Sequence, residues 1–277
     1  MLKRIITAII GISVLTGVFF LSDTVVLQTA FGIMTIIGIY EMLGCIGMRK
    51  NFVVSTSLYL MATASVVLTY FNLKHSFYIC IYASLLFTML TVIFASAVFS
   101  DGKIPVDKAC IAFTTSAYII TGFVSIILIR NVAHGKEVFL LVFLAPWITD
   151  TFAYFGGRLF GKHKLIPSVS PKKTVEGAIC GTLFCTVVCF FYGYGLEKLF
   201  EKTYALYMFA VMGFLISVVS QIGDLIFSLI KRRYGIKDFG IIFPGHGGVL
   251  DRFDSVIATA PLLLIGCEAM MKFGLMG

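Results

Sequence analysis

The sequence predicts an all-α, polytopic integral membrane protein with about nine transmembrane helices. Of its 277 residues, 59% are hydrophobic and only 13% charged, and the mean hydropathy of +0.99 is far too apolar for a soluble domain. Apolar runs of about 20 residues recur along the whole chain, the length that a helix needs to cross a hydrocarbon core about 30 Å thick. No segment alternates apolar and polar residues as the strands of a membrane barrel do, so the spans are helices.

The candidates lie at about 5–21, 25–43, 52–71, 77–99, 109–129, 137–155, 175–195, 204–230 and 253–273. Only Ser22, Asp23 and Thr24 separate the first two. Lys3 and Arg4 before the first run resemble the start of a signal peptide. The run is long for that role, however, and no small-x-small cleavage site follows it. With the N-terminus inside, sixteen of the 22 Lys and Arg residues fall on the cytoplasmic side, the asymmetry expected of cytoplasmic loops. Only Lys74, Arg130, Lys136, Lys198, Lys202 and Lys272 remain outside. An odd number of crossings preserves that alternation.

Polar chemistry divides the chain into N-terminal scaffold helices, 1–135, and C-terminal catalytic helices, 136–277, with two basic cytoplasmic loops, 156–174 and 231–252. No internal repeat is visible, which weakens a secondary-transporter reading. The seven cysteines all lie in predicted spans and form no CxxC pair, so buried free thiols are expected rather than a redox or metal site.

Acidic residues inside apolar spans are costly and therefore functional candidates. Glu41, Asp150, Asp224 and Glu268 are of this kind. At about 1.5 Å of rise per residue, Glu41, Asp150 and Asp224 lie roughly 24, 20 and 30 Å along their spans, nearer the cytoplasmic face. Asp251 and Asp254 open the last span from that same face. Mg²⁺ takes one or two carboxylates plus substrate phosphates and waters, which Asp224 and Asp251 suit, with Asp254 and Asp150 in support. The plainer reading of Asp251 and Asp254 is a helix cap with an ion pair to Arg252 or Lys231. Gln221 and Ser228 share the face of Asp224.

The 27-residue run Ser228 to Asp254 packs Lys231, Arg232, Arg233, Lys237 and Arg252 beside Asp238, Asp251 and Asp254. Its PGHGG turn, Pro244 to Gly248, can bring backbone N–H groups close to an anion, although Gly-rich turns before helices are common. His246 suits a phosphate contact better than proton abstraction, because a phosphate nucleophile is already ionised. In the other loop, SPKKTVEG, Ser170 reads as an N-cap and Pro171 as the first helical residue. Lys172 and Lys173 would then project from a helix start towards phosphates, or serve only as a topology signal near headgroups.

Together these residues resemble the phosphatidate cytidylyltransferases, or CDP-diacylglycerol synthases. The signature is carried by Ser228, Lys231, Arg232, Lys237, Asp238, Pro244, His246, Gly247, Gly248, Asp251, Arg252 and Asp254, with SPKKTVEG and the stretch after Asp150 also alike. The resemblance implies a cytidylyl transfer from CTP to phosphatidate, giving CDP-diacylglycerol and pyrophosphate. It implies catalytic roles for Asp224, Asp251, Lys231, Arg232 and His246. Substrate binding would fall to Ser170, Lys172, Lys173, Ser228, Lys237, Asp238, Gly247, Gly248 and Arg252. Mg²⁺ would lie on Asp224, Asp251, Asp254 and Asp150, a second cation being an open alternative. The expected partners are CTP, phosphatidate and membrane lipids, with a homodimer as a family-level expectation and no nucleic acid. The expected location is a bacterial inner membrane with the site facing the cytoplasm. Two other readings compete: a cation- or proton-coupled transporter, which would not need the basic loops, and another transferase of CDP-lipids, which would need several aspartates in one helical motif.

Overall fold

The computed structural model describes residues 11, 13, 16–22, 25–71, 75–243, 245 and 247–275. Its described elements are α1 (Val25–Cys45), α2 (Phe52–Leu68), α3 (His75–Val98), α4 (Val106–Asn131), the single turn α5 (Gly135–Val138), α6 (Leu141–Phe160), β1 (Lys164–Ile166), β2 (Ser170–Thr174), α7 (Val175–Phe200), α8 (Leu206–Arg233) and α9 (Leu250–Lys272). Seven helical segments are long and apolar enough to cross a membrane, and α2, at 17 residues, is a shorter apolar helix. The expected span at 5–21 lies for the most part outside the described residues. The all-α membrane architecture therefore stands, whereas the count of nine is not reached among the described residues.

Contacts group the chain into two compact units, Met1–Ile127 with Arg233–Phe253, and Leu128–Arg232 with Asp254–Gly277. This is a division by packing; the boundary expected near residue 135 was one of chemistry.

In the first unit, α1 packs on α4 and on the start of α9. Gly38 permits this approach, since an added Cβ would meet Leu250 at 3.1 Å and Ile119 at 3.3 Å. Phe31, Phe123 and Phe253 form an aromatic cluster with ring centroids 5.7 to 6.5 Å apart, within the range of favourable edge and tilted contacts. Asn51 caps α2 by accepting the Val54 N–H at 3.1 Å. Hydroxyls within spans satisfy themselves on the preceding turn, as Thr35 does on the Phe31 carbonyl at 2.7 Å.

In the second unit, glycines bring α6 and α7 together. A Cβ on Gly177 would lie 2.5 Å from the Ala153 carbonyl oxygen, and one on Gly181 would lie 2.7 Å from that of Thr149. Small residues of this kind let membrane helices approach at backbone distance, where packing rather than water drives association. The span through α5 and α6 begins with a polar knot. The Glu137 carboxylate meets His134 at 3.0 Å, Lys202 at 3.2 Å and the Tyr204 hydroxyl, while Tyr192 donates to the Glu137 carbonyl.

Two expectations are corrected. Residues 170–174 form strand β2, not a helix start. Lys164 and Ile166 pair antiparallel with Thr174 and Ser170, and the Val175 N–H donates to the His163 carbonyl at 2.9 Å. Helix α7 begins after Thr174, whose hydroxyl accepts the Gly177 N–H at 3.2 Å. The cysteines are all free, but only Cys185, Cys189 and Cys267 are buried; Cys80 and Cys110 are exposed on α3 and α4.

Candidate active site

In the second unit, three helices and the hairpin contribute to one charged cluster. Asp224, in the last third of α8, forms an ion pair with Lys173 of β2, both side chains about a quarter exposed. Asp254, in α9, lies within electrostatic reach of the Asp224 carboxyl group and of Lys231. Asp150, in α6, is within reach of both Asp224 and Lys173. Asp254 is itself oriented by the Ser255 N–H, which donates to Oδ1 at 2.8 Å. The polar stripe of α8 continues inwards. Gln221 donates to the Thr182 hydroxyl at 3.0 Å, and Ser217 lies 3.2 Å from the same oxygen.

Neighbouring carboxyl groups repel unless a proton or a cation offsets them. Lys173 and Lys231 offset part of that charge, and the all-oxygen donors suit a hard divalent cation. No group of three or more His, Cys, Asp or Glu side chains among the described residues converges as a metal cage. A cation that keeps its waters and substrate phosphates needs no such cage, so Asp224 and Asp254 fit Mg²⁺.

In the first unit, the loop between α8 and α9 is closed at its base. Asp251, 8% exposed, accepts from the Phe239 N–H at 2.7 Å and the Gly248 N–H at 2.9 Å through one oxygen, Oδ2. Phe243 and Gly247 form a bridge within the loop, and the turn runs through positive φ at Gly245 (80°) and Gly247 (88°), which glycine adopts without steric cost. Glu41, 2% exposed in α1, accepts from the Val249 and Leu250 N–H groups, each at 2.9 Å.

The other expected site residues fall as follows. Lys172, Arg232, Lys237, Asp238 and Arg252 are exposed, while Ser170, Ser228 and Lys231 are partly exposed. Arg232 donates through Nε to the Val169 carbonyl at 3.4 Å, tying the end of α8 to the hairpin turn. Pro244 and His246 lie outside the described residues. The sequence reading missed the loop contacts of Glu41, the cap by Thr174 and the partnership of Thr182 with Gln221. Only Glu41 carried a signal, as an acid in an apolar span.

Apolar spans, a cluster of carboxylates and lysines in the second unit and, in the first, a glycine turn are features expected of a membrane enzyme of phosphate chemistry. The comparisons narrow that class. A family model described as "Cytidylyltransferase family" matches residues 2–270. A phosphatidate cytidylyltransferase of Staphylococcus haemolyticus is 32% identical over 266 residues, 95% of this chain and 97% of the relative. Enzymes of the same name from Staphylococcus saprophyticus and Staphylococcus aureus are each 38% identical over 65% of this chain and 67% of the relative. The chain belongs to the cytidylyltransferase family.

Proposed function

We propose that this protein transfers the cytidylyl group of CTP to phosphatidate, giving CDP-diacylglycerol and pyrophosphate. One observation carries the reading: a relative named phosphatidate cytidylyltransferase aligns along 95% of the chain. The acid and lysine cluster around Asp224 is consistent with the chemistry they perform.

An oxygen of the lipid phosphate forms a bond to the α-phosphorus of CTP, and the bond from that phosphorus to the β-phosphate oxygen breaks. The nucleophile is already ionised, so no general base is needed, and catalysis rests on positioning and on offsetting charge. Lys173 and Lys231, beside the carboxylates, are placed to meet phosphate oxygens. Lys172, Arg232, Lys237 and Arg252 supply the exposed positive charge that draws an anionic nucleotide. Asp224 and Asp254 would hold Mg²⁺, with Asp150 in support; Asp251, expected from the sequence to share the ion with Asp224, would instead hold the loop, since its Oδ2 accepts two backbone N–H groups. The bound ion would neutralise charge gathering on the departing pyrophosphate. The reading includes a cytoplasmic N-terminus and a cytoplasmic site, where CTP is available.

The test is the purified chain in lipid or mild detergent with Mg²⁺, labelled CTP and phosphatidate. Labelled CDP-diacylglycerol and equimolar pyrophosphate are expected, with turnover lost in excess EDTA and restored by Mg²⁺. Folded protein that forms no such product, or that turns over equally well in EDTA, ends the respective part of the reading.

A further inference from the structure

Helix α9 starts with a residue that cannot cap it. Its first helical residue is Leu250, preceded by Val249, and valine has no side-chain acceptor for the amide groups left open at a helix N-terminus. The acceptor comes instead from Glu41, more than two hundred residues earlier, through two bonds of 2.9 Å to the Val249 and Leu250 N–H groups. A carboxylate at a helix N-terminus makes charge-assisted hydrogen bonds and meets the positive end of the helix dipole.

The loop is shaped around this carboxylate. A Cβ at Gly240 or at Gly248 would collide with the Glu41 side chain, and the Cβ of Gly240 would also lie 3.2 Å from the Cα of Gly248. Two ends of the loop therefore converge on one buried acid, beside the point where Asp251 Oδ2 ties Phe239 and Gly248. Arg49 is within electrostatic reach of Glu41. That guanidinium is fixed over the Tyr40 ring at 3.7 Å and donates to the Tyr40 carbonyl at 3.2 Å. The first membrane helix described thus sets the position of the two ends of the loop, at Gly240 and at Gly248 to Leu250.

We infer that Glu41 is a positioning residue for cytidylyl transfer: from within α1 it caps α9 and holds the loop of residues 239–250 in its working geometry, without contacting substrate. This rests on the function proposed above. Gln keeps the reach of Glu and one oxygen acceptor, whereas Ala removes both acceptors.

Two measurements on the full chain test the role. Hydrogen exchange at Val249 and Leu250 should quicken at least tenfold in Glu41→Ala and less in Glu41→Gln, with exchange along α7 unchanged. Turnover should fall at least tenfold in Glu41→Gln and further in Glu41→Ala. The loss should lie mainly in kcat rather than in the KM for CTP, at an unfolding midpoint within a few degrees of wild type. If Glu41→Ala does not fold, the near-isosteric Glu41→Gln decides. Wild-type exchange at 249–250 in the folded variant overturns the cap, and wild-type kcat overturns the positioning role. A protein that makes no CDP-diacylglycerol at all refutes the proposed reaction, while the exchange arm still judges the cap.

Discussion

Single residues carry the charge balance of the site. Asp224 pairs with Lys173 and lies within electrostatic reach of Asp254, so Asp224→Asn or Asp254→Asn removes one negative charge from a cluster proposed to hold a cation. Turnover is expected to drop on the order of 100-fold, the scale of losing one preorganised electrostatic partner, with a raised Mg²⁺ requirement in steady-state titrations. Near-normal turnover at ordinary Mg²⁺ would refute the assignment. Lys173→Met should also lower turnover, by about 10- to 100-fold, and leave Asp224 without its ion pair. Asp224 and Lys173 were legible because an acid in an apolar span and a basic loop are both costly near a bilayer. The bond from Gly248 to Asp251 is local, as a cap reading allows, but those from Phe239 to Asp251 and from Val249 and Leu250 to Glu41 were not legible, since hydrogen bonds to residues farther along the chain leave no mark on local sequence.

At the scale of elements, the spans were legible and the hairpin was not. Length and hydropathy find a membrane helix: for the seven long helices the structure moved the ends, carrying α7 on to Phe200 and α8 on to Arg233, whereas the run expected at 52–71 gives a helix of only 17 residues. The segment SPKKT satisfied the rules for a helix start, with a serine before a proline. Its pairing with the three residues of β1 is a contact between segments too short to show any periodicity. Thr174→Ala removes the hydroxyl that accepts from Gly177 and should cost about 1 kcal/mol, visible as a lower thermal midpoint. At the α6 and α7 seam, Gly177→Val would drive a side chain into the Ala153 carbonyl. The expected loss is about 1–3 kcal/mol or more, with a smaller yield of monodisperse protein. An unchanged midpoint would mean that the two helices can separate at no cost.

Across the whole molecule, large apolar side chains are exposed along the helices, as Phe87 is on α3, Leu183 on α7 and Ile265 on α9, a surface suited to lipid rather than water. The proposed orientation, with a cytoplasmic N-terminus, rests on the basic asymmetry and can be tested. Single cysteines placed in a cysteine-free variant at Asp101 and Glu201 should react with a membrane-impermeant maleimide from opposite sides. The first should label only after the cytoplasmic face is opened, and labelling of both from one side would refute the alternation.

The hairpin of β1 and β2 also sets a depth. A two-stranded ribbon leaves backbone N–H and C=O groups unpaired along both edges, and hydrocarbon offers them no partner. It must therefore lie at the level of headgroups and water. Lys173 belongs to that ribbon and grips Asp224, so the carboxylate is moored at the waterline. A lipid phosphate can then reach it without being dragged into oil, and a nucleotide can reach it without leaving water.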